Sequence, residues 1–202
     1  MPNALSRRSA LKRLGGGAGA VMLLPWLSEE GVAAFDQIQR AKASPALRVL
    51  SQSQYTTVDV LVEAIIPADE NSPGAREARV ADYVDLLLSE AEDSVKRTWL
   101  EGLTALDAES QERFGAPFAR VDPVQIDELL ADLSRGERAP QPTPLEAFFV
   151  TTKQATIHGY YTSEIGIHKE LRYKGNQILA EFTGCHTQDG TDCPLCGQKA
   201  GS

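Results

Sequence analysis

Thiol and imidazole side chains cluster within residues 185–202. The cluster contains Cys185, His186, Cys193 and Cys196, in a C-x7-C-x2-C arrangement with an adjacent histidine. Three thiolates and one imidazole form the ligand set of a structural zinc site. In an oxidising compartment the same cysteines suit a disulfide, within the chain or to another subunit. A C-x-x-C pair also serves thiol redox catalysis, so zinc, disulfide and redox interpretations all stay open.

The other two histidines are His158, which precedes a glycine and two tyrosines, and His168. An imidazole titrates near neutral pH, so either residue is a candidate general base. The sequence places no identifiable nucleophile or carboxylate partner beside them, and packing or contact with a partner protein is the favoured interpretation. The sequence contains no glycine-rich nucleotide loop, no G-x-S-x-G and no H-E-x-x-H.

The charge balance bears on the class of partner. The 202 residues include 20 Lys+Arg and 28 Asp+Glu, a formal net charge of -8. An acidic surface disfavours unaided nucleic-acid binding, because phosphate contacts need clustered basic side chains. We therefore expect no nucleic-acid partner.

A basic and then apolar segment occupies the beginning of the sequence. Arg7 and Arg8 stand in S-R-R-S-A-L-K, which resembles the twin-arginine (Tat) export signal S-R-R-x-F-L-K with Ala10 in place of Phe. The apolar stretch that follows spans about 14 residues, which is shorter than the roughly 20 of a transmembrane helix. The pattern predicts a Tat leader over residues 1–34; a basic tail and an uncleaved signal anchor are the alternatives.

Small residues suitable for leader cleavage stand at Gly31, Ala33 and Ala34, without a clean A-x-A. The Tat route exports proteins that are already folded. The leader therefore predicts a periplasmic protein that folds, and binds any partner, in the cytoplasm.

Apolar residues recur at helical spacing through the body of the chain. The pattern predicts a helix from a Thr56 cap to Pro67, two more over about 76–92 and 95–113, and a stop at Gly115. Asp122-Pro123 and Thr143-Pro144 each combine an N-cap residue with proline at the first helical position, which predicts two more helix starts. The helix that begins at Thr143-Pro144 is predicted to end at about His158. We expect an all-α fold: a compact domain of about five to six helices over residues 50–178, and an irregular cysteine-containing tail over 179–202.

Three stretches together resemble the gluconate 2-dehydrogenase subunit 3 family, over about residues 50–176. The first stretch is I-I-P-A-D-E (65–70) with S-P-G-A-R-E-A (72–78) and V-A-D-Y-V-D (80–85), and it has Arg79 where the family pattern has Gly. The second is G-L-T-A-L-D (102–107) with R-F-G-A-P-F (113–118). The third is G-Y-Y-T-S-E-I-G (159–166) with L-R-Y-K-G (171–175).

The resemblance implies a small subunit without catalytic activity or cofactor of its own. Its partner would be a large FAD-dependent subunit that oxidises a sugar, sugar acid or alcohol, with a cytochrome c subunit as a further candidate. The small subunit would carry the large one to the Tat translocase, and the complex would be periplasmic, or membrane-associated as a complex. Candidate interface residues are His158, Tyr160, Tyr161, Glu164 and Tyr173. A stand-alone electron carrier using the cysteine cluster is the alternative function.

Overall fold

A computed structural model shows how these segments are arranged. The chain divides into two units, Met1–Arg172 and Tyr173–Ser202, and every helix that the structure describes belongs to the first. Every regular element in the part of the chain that the structure describes is helical, which confirms the predicted all-α class. Within the same part, no helix is both long and apolar enough to span a membrane. The structure describes residues 27–41, 46–70, 72–136, 140 and 142–175.

Six α-helices and two short helical turns follow one another along the described chain. A 3₁₀ turn, Phe118–Arg120, precedes the fifth helix, and a π-helical turn, Gly166–Glu170, follows the sixth. The α-helices are α1 (Glu29–Arg40), α2 (Gln52–Ile65), α3 (Val80–Glu90), α4 (Asp93–Phe114), α5 (Pro123–Gly136) and α6 (Pro144–Tyr161).

Helices α3 and α6 form the centre of the first unit. Helix α3 contacts α1, α2 and α6, whereas α6 contacts α2, α3, α4 and α5. All residues of α3 from 80 to 88 are buried, so this helix is covered on every side. The core around the two helices includes the fully buried side chains of Trp99, Phe118 and Leu129.

Two buried carboxylates on α3 hold neighbouring parts of the chain. Asp85 accepts hydrogen bonds of 2.7, 3.0 and 2.8 Å from the three backbone N–H groups of residues 48–50. Asp82 accepts one of 3.2 Å from the Tyr55 hydroxyl and one of 2.8 Å from Nε of Arg79. A buried carboxylate is costly without such partners. The bonds of Asp85 fix α3 against the segment that precedes α2, and the bond from Tyr55 to Asp82 fixes it against α2 itself.

Local capping rules place three helix ends where the sequence predicts them. Asp122 accepts hydrogen bonds of 2.9 and 3.1 Å from two backbone N–H groups in the first turn of α5. Thr143 and Glu146 form a capping box at the start of α6. Gly115 ends α4 in the left-handed conformation, with φ of 76°.

Two helix starts differ from the prediction. Helix α2 begins at Gln52 because Ser51 caps it, and Thr56 lies inside the helix, where its hydroxyl donates to the carbonyl of Gln52 at 2.9 Å. Helix α3 begins at Val80 rather than near residue 76, because Arg79 has a left-handed backbone with φ of 58°. A left-handed residue cannot continue a right-handed helix.

The sequence pattern did not predict α1. Its buried apolar side consists of Phe35 and Ile38, which is a weak periodic signal over 12 residues. The helix extends across residue 34, the end of the predicted leader. The segment at that boundary is thus folded onto the domain.

Candidate functional site

A groove of about 1020 Å³ lies beside α1 and the end of α6, with the ring of Tyr83 from α3 in its wall. Phe35 and Val32 contribute apolar surface from α1, and Ile167 contributes it from the π-helical turn. Carboxylates of Glu29, Asp36 and Glu164 and the basic side chains of Arg40 and His168 also line the groove. An apolar wall with scattered polar groups is typical of a binding site.

Tyr83 and His158 form a hydrogen-bonded pair in the wall of the groove. The hydroxyl of Tyr83 lies 2.6 Å from Nδ1 of His158, and the ring centroids are 5.9 Å apart. Burial lowers the pKa of the His158 imidazole, and burial with the nearby Glu90 carboxylate raises the pKa of Tyr83 to about 12. Both shifts favour the neutral forms, so the wall presents an uncharged aromatic surface.

The last turn of α6 extends this surface with exposed apolar groups. His158 and Thr162 line the groove, whereas Ile157 and Tyr161 belong to the adjacent row of side chains. The side chains of Ile157 and Tyr161 are 43% and 39% exposed, and Val32 on α1 is 59% exposed. Large apolar side chains at one edge of a groove are typical of a contact surface for another protein.

The five predicted interface residues are separated by the fold. His158 and Glu164 line the groove, and Tyr161 is exposed beside it. Tyr160 is buried and presents no surface to a partner, while its neighbour Tyr161 packs edge-on against it at 5.3 Å. Tyr173 is exposed but belongs to the second unit.

Tyr160 instead joins the first and third stretches of the family resemblance. Its hydroxyl lies 2.7 Å from the Ser72 hydroxyl and donates to the carbonyl of Pro73 at 2.8 Å. Glu63 accepts backbone N–H groups at Ala68 and Arg76, which closes the loop after α2. Tyr160 and the residues of this loop therefore stabilise the fold.

Two glycines of the third stretch allow close packing. A Cβ on Gly159 would lie 2.7 Å from the ring of Tyr83, and one on Gly166 would lie 2.0 Å from the carbonyl oxygen of Tyr160. Both distances are shorter than a real contact, so a side chain at either position would displace its neighbour. Gly159 thus lets α6 approach α3 closely enough for His158 to reach Tyr83.

The sequence did not point to the groove residues on other helices. Tyr83 falls inside the helix predicted over about residues 76–92 and lies 75 positions from His158 in the sequence. Phe35 and Val32 fall on the unpredicted α1. A weak signal was present in Tyr83 itself, because a buried tyrosine hydroxyl needs a hydrogen-bond partner.

The predicted metal or disulfide residues Cys185, His186, Cys193 and Cys196 lie outside the described residues, as do Arg7 and Arg8. Within the described part of the chain, no three His, Cys, Asp or Glu side chains are grouped so as to hold a metal ion. Zinc, disulfide and redox roles of the cysteines stay predictions.

Comparison with protein families places the chain among the subunits of dehydrogenase complexes. The match covers residues 52–177, more than half of the chain, and the chain belongs to the gluconate 2-dehydrogenase subunit 3 family. Searches of curated proteins and of solved structures returned no match. The family match agrees with the stretches that carry the resemblance, and it implies a large subunit as partner.

Proposed function

We propose that the chain binds a large FAD-containing dehydrogenase subunit in the cytoplasm and carries it through the Tat pathway into the periplasm. The observation that carries this proposal is membership of the gluconate 2-dehydrogenase subunit 3 family. The paired arginines Arg7 and Arg8 support the export step, because they match the twin-arginine signal. A single leader then serves both chains, and the flavin and the substrate belong to the large subunit.

The groove beside α1 and α6 is the proposed docking surface. Val32, Ile157 and Tyr161 expose apolar area that water solvates poorly, and a partner that covers them gains the hydrophobic free energy of burial. The neutral pair of Tyr83 and His158 favours the same contact, because no buried charge has to be desolvated there. An apolar segment of the large subunit, with polar groups at its margins, fits this lining.

Isolation of the native complex is the first test. The tagged full-length chain is purified from the membrane and soluble fractions, and the largest co-purifying protein is identified by mass spectrometry and its flavin by absorbance. We expect a flavoprotein dehydrogenase. A chain that purifies alone from both fractions contradicts the proposed partnership.

Matched substitutions then test the docking surface. We expect Ile157→Glu and Val32→Glu each to weaken binding of the large subunit at least tenfold, about 1.4 kcal/mol or more, because a charge enters an apolar contact. Val124→Glu is the control, since Val124 is 75% exposed on α5 and outside the groove lining. Equal affinities for the three variants would place the interface elsewhere.

A further inference from the structure

We propose that α1 contains a signal-peptidase cleavage site and that the folded domain protects this site from cleavage. Gly31 and Ala33 have the spacing of the two small residues that precede a cleaved bond. The peptide bond that a signal peptidase would cleave therefore joins Ala33 to Ala34. Its hydrolysis would add water, leaving a carboxylate on Ala33 and an amine on Ala34. This inference rests on the proposed Tat leader and deepens it.

The start of α1 is attached to the end of α3. The backbone N–H and the hydroxyl of Ser28 each donate to the carboxylate of Glu90 at 2.9 Å, and the same hydroxyl caps α1 at Gly31. A Cβ on Gly31 would lie 2.4 Å from that carboxylate. The first small residue of the cleavage pattern is thus buried against the domain.

The middle and end of α1 are held as well. Phe35 is buried and packs edge-on against Tyr83, with ring centroids 5.1 Å apart. The Arg79 guanidinium donates to the backbone carbonyls of Ile38 and Ala41, the latter at 3.1 Å. The bond between Ala33 and Ala34 therefore lies between two anchored positions.

A folded α1 protects this bond from a peptidase. Proteolysis of a helical bond requires local opening, and anchors at both ends make that opening rare. Because the Tat route exports folded proteins, α1 forms before the chain meets the peptidase. The exported chain then keeps residues 28–40, and α1 remains as one wall of the groove.

The test uses the purified full-length chain in detergent with a type I signal peptidase. A synthetic peptide of residues 21–40 has the same sequence without the domain. The variant Arg79→Ala/Glu90→Ala removes the side-chain hydrogen bonds at both ends of α1, keeps the packing of Phe35 on Tyr83 and leaves residues 27–41 unchanged. The matched control is Glu109→Ala/Arg113→Ala, which removes an ion-paired Arg and Glu on α4. Thermal melting establishes that each variant is folded.

We expect cleavage of the peptide between Ala33 and Ala34, resistance of the native chain and the control, and cleavage of the anchor variant at least tenfold faster than native. Three results would each overturn the proposal. They are a peptide that is not cleaved, a native chain that is cleaved as fast as the peptide, and a folded anchor variant that is as resistant as the native chain. If the anchor variant does not fold, the comparison of native chain with peptide decides. The assay involves no large subunit and no export, so a failure of the escort proposal is separately visible.

Discussion

The hydroxyls of Ser72 and Tyr160 lie 2.7 Å apart in the buried core and join two stretches of the chain that are 88 residues apart in sequence. Ser72 belongs to the loop after α2, and Tyr160 to the end of α6. The first and third stretches of the family resemblance therefore meet in the core. These motif residues stabilise the fold, and the groove is the surface that we propose for contact with the partner.

Tyr160→Phe tests the structural role of this contact. We expect the free energy of unfolding to fall by about 1–2 kcal/mol, because buried polar groups at Ser72 and Pro73 lose their partner. Tyr161→Phe is the matched control, and its effect should stay within about 0.5 kcal/mol. Urea denaturation of both variants measures the difference. Equal stabilities would show that the buried hydroxyl contributes nothing.

Gly102→Ala tests the contact between α4 and α6. A Cβ on Gly102 would lie 2.2 Å from the ring of Phe148, which also packs edge-on against Trp99. Overpacking should outweigh the better helix propensity of Ala, with a net loss of about 1–2 kcal/mol. The exposed Glu101→Ala on the same helix should be nearly neutral, and Phe148→Leu should partly rescue Gly102→Ala in a double-mutant cycle. Additive effects would argue against the steric explanation.

Arg79 combines a strained backbone with a useful side chain. Both Arg79→Ala and Arg79→Gly remove its bonds to Asp82 and to the end of α1, but only glycine adopts a positive φ without strain. We expect Arg79→Ala to be less stable than Arg79→Gly by about 1 kcal/mol, and both to be less stable than the native protein. Chemical denaturation gives the order. Native-like stability of Arg79→Gly would mean that the guanidinium bonds contribute no more than the backbone strain that glycine relieves.

His158 should make stability depend on pH. Its folded-state pKa lies below the ordinary value of about 6.5, because burial disfavours the imidazolium. The unfolded chain therefore binds more protons just below pH 6.5, and the free energy of unfolding decreases as the pH falls through that value toward the folded-state pKa. His158→Gln should reduce this slope. Identical slopes for native protein and His158→Gln would contradict the assignment.

Local rules allowed part of the fold to be predicted. Asp122 and Thr143 cap helices through neighbours two or three residues away, so their signals are contained in the sequence itself. The start of α3 was misplaced because the left-handed Arg79 is stabilised by distant carbonyls of α1. A residue type alone does not reveal such long-range support.

The groove was less predictable than the helices. His158 and Glu164 were predicted as interface residues, and both line the groove. Tyr160 was grouped with them because adjacent tyrosines look alike in a sequence, yet helical geometry buries Tyr160 and exposes Tyr161. Tyr83 and Phe35 enter the site only through the packing of α1 and α6 on α3.

The location of the large subunit tests the escort claim most directly. The full chain with Arg7→Lys/Arg8→Lys keeps α1, the groove and the charge of the leader while it changes the twin arginines. Co-expressed with the large subunit, it should bind that subunit normally, and dehydrogenase activity and flavin should remain in the cytoplasmic fraction, whereas the native chain should bring both to the periplasm. A large subunit that reaches the periplasm equally well with the altered leader would contradict the account.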